Sequence, residues 1–329
     1  MLRVHFLNVG HGDCTIIEHP SGRLTMVDIN NSQSYDDETK QALVREEVAR
    51  LTPAVPVFGS AAWAAPPLLL AERRLAAWNE VEAKAKRELT DPVDYMQREL
   101  RGRSLHRFVL THPDLDHMRG LRRIHDSIGF ANFWDTANTK PRPSYRSDAD
   151  RVDWEFYQSL QSDTRRKVYR RGHSLYAFGK DENGYPGGDN VEILSPDEEV
   201  VGACNTAGIS NDISIVLRVH HGGRTVLLPG DVEKLAWDNM VNFYGGRLKS
   251  DFLKASHHGR DTGYHLEALQ LIRPIMTFVS VGRKPSTDAS SKYRGQSERV
   301  ASTRFYGNIV LTIHDNGAWG WLVDHNAGT

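Results

Sequence analysis

The sequence predicts an α/β fold of the α+β kind, in which two β-sheets pack together and helices cover their outer faces. Three observations carry this expectation. Strand-like runs outnumber what one parallel sheet needs. Helix-like stretches fall both between and outside those runs. A stretch rich in Glu, Arg, Ala and Leu, approximately residues 36–102, interrupts the strands as a helical insertion. With no repeats and no long linker, residues 1–329 read as one domain carrying that insert.

The first thirty residues read as a meander of three strands, 2–9, 14–18 and 23–29, turned by Gly10-His11-Gly12-Asp13 and Pro20-Ser21-Gly22. In the insert, Leu68, Leu75 and Trp78 stand at helical spacing, and breaks near Pro53–Pro56 and Pro66–Pro67 divide it into two or three helices. Strand character returns at 107–111, followed by a helix over 119–128. Residues 135–190 are polar and turn-rich, with one helix over 152–160 and a basic run from Arg165 to Arg171. Trp134 reads as core or pocket wall. Strands are then expected at 191–194, 213–219, 225–228, 252–255, 276–281, 309–313 and 319–323, with helices at 233–244, 265–272 and 296–305.

Forty-one Lys and Arg against 42 Asp and Glu leave a net charge of −1. No global field therefore draws the chain to nucleic acid or an anionic membrane, and a bound polyanion needs a local patch. Two cysteines cannot build a disulfide framework. The chain opens directly into a strand-like run without a basic-then-apolar leader, and its longest apolar stretch is cut by Pro66 and Pro67. The expectation is a cytoplasmic protein that does not enter the membrane.

The densest chemistry lies in "THPDLDHMRG", where His112, Asp114, Asp116 and His117 fall within six positions just after an apolar strand. Irregular backbone at a strand end lets such side chains converge on one or two divalent cations, His offering nitrogen and Asp oxygen. A lone Asp there would read as a helix cap; four such residues exceed that. Asp231 in "LLPGDVE" and His257-His258 in "LKASHHG" also follow strand-like runs. If those strands share an edge, all these ligands meet.

The set "FLNVGHGDCTIIE", "MVDIN", "THPDLDHMRG", "NDISIVLRV", "VLLPGDVE" and "LKASHHG" resembles the metallo-β-lactamase-fold hydrolases, and among them the soluble catalytic domain of ComEC-type DNA-uptake competence proteins. The resemblance implies an αββα four-layer sandwich with two divalent metal ions, Zn²⁺ or Mn²⁺, at one edge. It implies that His112 and Asp114 bind one ion, that Asp116 and His117 bind a second, and that Asp231 bridges them. His257, favoured over His258, would complete the coordination of the second ion. Asp28 would orient the site through hydrogen bonds, and Asp13 would border the pocket. Where the broader family has a third-motif His, this chain has Asn211-Asp212 and Ser214. The oxygen-rich shell makes Mn²⁺ as credible as Zn²⁺. Near the C-terminus a family histidine is replaced by "KPSTDASSKYRG", which leaves no evident proton donor for a leaving group.

The implied reaction is hydrolysis of a phosphodiester by a metal-activated water, making the chain a nuclease or phosphodiesterase with Asp116 and Asp231 as its catalytic residues. Phosphate contacts are expected from Lys292 and Arg294, with Arg283 and Lys284 nearby, and base stacking from Tyr293 or Tyr169. For the run Arg165–Arg171, phosphate contact and an ordinary solvated face weigh equally. Two alternatives remain: a metallo-hydrolase for a lactone, thioester or cyclic nucleotide, and a regulatory component whose helical insert docks a protein partner.

Overall fold

A computed structural model describes residues 1–51, 67–173, 188–282, 286 and 288–324. The chain folds into two sheets. The strands, in order, are β1 (Leu2–Phe6), β2 (Thr15–Glu18), β3 (Leu24–Val27), the two-residue β4 (Ile29–Asn30), β5 (Leu105–Val109), β6 (Phe130–Asp135), β7 (Arg166–Val168), β8 (Val191–Ser195), β9 (Val216–His221), β10 (Arg224–Leu228), β11 (Phe252–Lys254), β12 (Met276–Val279), β13 (Arg299–Ser302), β14 (Ile309–Ile313) and β15 (Trp319–Val323). The first sheet runs β15-β14-β1-β2-β3-β5-β6-β7 and the second β13-β12-β11-β10-β9-β8.

Each sheet joins an antiparallel part to a parallel part. β14, β1, β2 and β3 pair antiparallel, whereas β3, β5, β6 and β7 run parallel. In the second sheet β8, β9 and β10 are antiparallel, and β10 to β13 are parallel. Parallel neighbours end at the same rim, so their C-terminal loops are brought side by side.

Both faces of the central strands are buried, and the period-2 alternation sorts their side chains into separate cores. Ile17, Val27, Val109 and Trp134 point between the sheets, where they meet Ile215, Leu217, Val226 and Phe278. The rings of Phe6 and Phe278 stack across that interface at 4.4 Å. Ile16, Met26, Phe108 and Phe133 point the other way, onto α3 (Pro92–Glu99), α5 (Leu121–Ser127) and α6 (Asp148–Leu160). The second sheet is covered by α7 (Glu198–Ala207), α8 (Lys234–Tyr244) and α9 (Leu266–Ile272). The result is the expected αββα sandwich.

The insert differs in detail from the sequence reading. α1 (Asp37–Leu51) and α2 (Pro67–Glu88) pack on each other through Leu43, Val44, Ala77, Val81 and Ala85, forming a small core of their own. Leu75 and Trp78, the expected face, are exposed, and the adjoining face, through Ala77, Val81 and Ala85, is buried instead. The expected breaks at Pro53–Pro56 and Pro66, and the Leu68 side chain, lie outside the described residues. α3 belongs to the main outer layer. Two strands, β6 and β7, escaped sequence reading, and the expected helix at 296–305 is β13 followed by the single turn α11 (Thr303–Tyr306), after the short α10 (Ser290–Tyr293). Trp134 is fully buried, as core. Among the described residues no helix is long and apolar enough to cross a membrane.

Candidate metal centre

The site lies where β3, β5, β10 and β11 end. Asp28 follows β3, the turn α4 (Leu115–Met118) with its flanks follows β5, Asp231 follows β10, and His257-His258 follow β11. Asp13 enters from the β1–β2 turn, its amide donating to the Asp116 carbonyl at 3.3 Å. Ligand atoms of Asp13, His117, Asp231 and His258, all buried, lie within 4.8 Å of one another, and those of His11, Asp116 and His258 form an overlapping group.

The imidazole of His117 is held at both nitrogens, Nδ1 at 2.8 Å from Asp28 Oδ2 and Nε2 at 3.1 Å from Asp231 Oδ2. His258 Nε2 lies 3.3 Å from Asp231 Oδ2 and 3.4 Å from Asp116 Oδ2, and its Nδ1 is 3.6 Å from Asp13 Oδ1. Burial disfavours charge on His117, but Asp231 and Asp28 outweigh it and raise its pKa well above the ordinary value. Asp231 and Asp13 do the same against the burial of His258. Burial likewise opposes ionisation of Asp231, yet His117 and His258 hold its carboxyl well below the usual range. Without an ion, the cluster is therefore an array of carboxylates and imidazolium groups.

His112 is different. Its Nδ1 lies 3.1 Å from Thr111 Oγ1 and 3.2 Å from Ser214 Oγ. Both hydroxyl hydrogens are already committed, Thr111 donating to Asp28 Oδ2 and Ser214 to the Asn211 carbonyl. Nδ1 must then carry the hydrogen, which leaves the lone pair on Nε2. Burial and the neighbouring His117 lower the His112 pKa and keep the ring neutral. Its Nε2 is buried without a hydrogen-bond partner and faces Asp114 Oδ1 at 3.7 Å.

Those orphaned atoms test whether the residues fit a cation. His112 Nε2 and Asp231 Oδ1 are buried without hydrogen-bond partners, and the His258 nitrogens meet only long carboxylate contacts of 3.3–3.6 Å. An unpaired buried polar atom costs about 1–3 kcal/mol, and such atoms converging on one rim fit a coordinated ion. The backbone is also strained here. Asp28 (φ 58°), His257 (φ 48°) and His258 (φ 54°) are non-glycine residues in the left-handed region, a conformation costing about 1–3 kcal/mol each. The Asp28 strain is held by three hydrogen bonds to its carboxylate, from Thr111 N, Thr111 Oγ1 and the His117 ring.

The structure brings together His112, Asp116, His117, Asp231, Asp28 and Asp13, and selects between the two adjacent histidines. His258 faces the cluster. His257, favoured from sequence, turns to Glu233 (2.9 Å) and Thr262 (2.7 Å), with Nε2 3.8 Å from Asp231. The consecutive left-handed residues rotate the two rings apart, which strand periodicity could not reveal. Asn211 donates to Glu233 Oε1 at 3.1 Å, the oxygen that also faces His257 Nδ1, and does not touch the cluster. Asp114 pairs with Lys140 rather than joining the tight cluster.

The stacking expectations fail on burial. Tyr293 is fully buried, edge-on to Tyr264 at 5.4 Å, and braces the histidine turn. Tyr169 is buried edge-on to Trp134 at 4.7 Å. Lys292 Nζ pairs with Asp261 at 2.7 Å, and Arg294 is exposed. Arg283 and Lys284 lie outside the described residues. The run Arg165–Arg171 contains the edge strand β7, and Arg165, Arg166, Arg170 and Arg171 pair with Asp163, Asp135, Glu198 and Asp197.

Three residues were missed. Lys254, legible in "LKASHHG", forms a buried ion pair with Asp13 at 2.5 Å. His11, legible in the Gly-His-Gly-Asp turn, accepts at Nε2 from Arg260 Nη2 at 2.6 Å. Burial, His258 and Arg260 push the His11 pKa down to about 3, so the ring is neutral and Nδ1 carries its hydrogen, buried and without a hydrogen-bond partner. Lys140 carries no motif signal.

Over about a third of its length the chain is similar to three curated proteins: an uncharacterized protein, YcaI, of Escherichia coli (26% identical over 118 residues), ComE operon protein 3 of Bacillus subtilis (28% over 120) and competence protein ComA of Neisseria gonorrhoeae (29% over 112). The chain is a two-sheet α/β sandwich and resembles the competence proteins over that third of its length. It spans only 15–16% of the length of those relatives. No protein-family model matches it. Among solved structures it is similar to Igni18, a metallo hydrolase of Ignicoccus hospitalis (13% identity, TM-score 0.47, 97% of this chain and 98% of that one), and to CmlA, a diiron β-hydroxylase of Streptomyces venezuelae (13%, 0.39, 87% and 46%). Likenesses this loose carry no argument about chemistry.

Proposed function

We propose that the chain is a metal-dependent hydrolase that cleaves phosphodiesters. The observation that carries this reading is the convergence of ligand atoms from Asp13, Asp116, His117, Asp231 and His258 at one rim, beside the buried, unpartnered Nε2 of His112. Asp116, His117, Asp231 and His258 would hold one cation, and His112 with Asp114 would offer the position for a second. Bound divalent cations supply Lewis acidity that activates water and balances the charge developing on phosphoryl oxygens.

The protein's own groups do the positioning. Asp28 fixes the His117 ring through Nδ1 and also receives Thr111, which with Ser214 fixes the tautomer of His112. Lys254 neutralises Asp13, so the rim is not purely acidic. His11, neutral and anchored by Arg260, packs on the His258 ring at 4.7 Å and helps to hold that ring in place.

A small phosphodiester is favoured over a long polymer by a second observation: the basic run is paired with acids, and both candidate stacking tyrosines are buried. The test is a panel of single-stranded DNA, RNA, cyclic nucleotides and a chromogenic phosphodiester across Mn²⁺ and Zn²⁺. Turnover lost in Asp116→Ala supports the reading; intact substrates under both metals overturn it. Steep loss of activity with salt would favour a polymer, and a flat response a small substrate.

A further inference from the structure

Resting on the metal-dependent reading, we infer that Lys140 is a built-in competitor for the second cation, its ammonium occupying the carboxylate that, with His112, would bind that ion. Lys140 Nζ is within contact of Asp114 Oδ1, the same oxygen that faces the lone pair of His112 Nε2 at 3.7 Å, and it also reaches Ser210 Oγ at 3.2 Å. This half of the site is thin in ligands. Asp212, in the stretch where a third ligand is expected, is spent on the start of α8, accepting from Glu233 N at 2.7 Å and Ala236 N at 3.0 Å. Asn211 is turned to Glu233, and Ser214 hydrogen-bonds the far side of the His112 ring. A dication at this position draws on few protein donors, and one of them already carries a tethered positive charge.

The placement of Lys140 is built. Its loop leaves β6 and is clamped to α7 by Asn205, whose Oδ1 accepts from Thr139 N at 3.0 Å and Thr139 Oγ1 at 3.1 Å, and whose Nδ2 donates to the Ala137 carbonyl at 2.8 Å. Asn138 is tied from the other side to Tyr157 OH at 2.8 Å. Lys140 thus stands on a fixed arch over Asp114. A divalent ion attracts the carboxylate with twice the charge but must first displace an ammonium that is never diluted away. The two cation positions are therefore unequal: the Asp116, His117, Asp231 and His258 position fills first, and the His112 and Asp114 position fills weakly.

The test is metal stoichiometry and affinity, independent of turnover. Metal-free protein is titrated with Mn²⁺ by calorimetry, and bound Mn²⁺ is followed by paramagnetic resonance. The native chain is expected to take one tight ion and a second one at least roughly tenfold weaker. In Lys140→Met the second ion tightens by about 10- to 100-fold while the first is unchanged, and a spin-coupled pair appears at lower Mn²⁺. Asn205→Ala, remote from every ligand, should shift the second ion in the same direction by less. Asp114→Asn should remove it in both backgrounds. Equal affinities in the native chain, or a second ion unaffected by Lys140→Met with the fold intact by circular dichroism, overturns the inference. No ion in any of these proteins overturns the metal-dependent reading itself, and this inference with it.

Discussion

The imidazole of His117 bridges two carboxylates from different sheets, 2.8 Å from Asp28 through Nδ1 and 3.1 Å from Asp231 through Nε2. Asp28 follows β3 of the first sheet and Asp231 follows β10 of the second. Asp28 makes its contacts from a left-handed backbone, so it orients a ligand ring without competing for the cation-facing atom.

Asp28→Asn keeps a residue that tolerates the left-handed conformation but weakens the acceptor for Thr111 and His117. Affinity for the first cation should fall by about 10- to 100-fold, with little change in secondary structure. Calorimetric titration of metal into the chelated variant checks this.

Metal loading should strengthen as pH rises. In the ion-free site His117 and His258 have pKa values raised above the ordinary 6.5, so their protons stabilise the fold below that value. This contribution is lost as pH climbs through the raised values, while an entering cation no longer has those protons to displace. The chelated protein should therefore lose Tm on going alkaline over the window where metal affinity increases. Titrations in buffers of different ionisation enthalpy should show protons released on binding.

Much of this site was legible from sequence because its ligands sit in short segments right after apolar strands. His112, Asp116, His117 and Asp231 needed only the assumption of a shared rim. The choice of His258 over His257 was not legible, since it depends on two successive positive φ angles that no residue type announces. Lys140 was hidden for another reason: it reaches Asp114 from a loop in a polar region, held there by Asn205, a contact of long sequence separation. The fold was read the same way. Alternating strands of the two cores were evident, whereas β7 was masked by arginines that prove to be matched by acids on neighbouring elements.

Gly259→Ala should cripple the histidine turn. Gly259 has φ +74°, and an added Cβ would stand 2.6 Å from Val279 Cγ1, against a buried strand. We expect a loss of about 1–3 kcal/mol of stability and weaker metal binding through displacement of His258. Chemical denaturation of the chelated protein, alongside metal titration, separates the two effects.

Phe6 and Phe278, both fully buried, stack across the sheet interface. Phe6→Ala should cost about 3–5 kcal/mol. In a double-mutant cycle with Phe278→Ala the coupling should reach about 0.5–1.5 kcal/mol, read from denaturant midpoints at constant slope.

Because the candidate ligands are supplied by strand ends of both sheets, an ion seated among them would act as a clasp on the open edge of a closed book. The spine is elsewhere: at the far end of the sandwich Trp319 lies edge-on to Phe252 at 5.0 Å and His221 reaches Asp315 across the sheets at 2.9 Å, contacts in which no candidate metal ligand takes part. Stripping the clasp should let the leaves part at the fore-edge alone, so amide exchange would quicken around Thr111 and Ser256 and stay slow at Phe252 and Ile313.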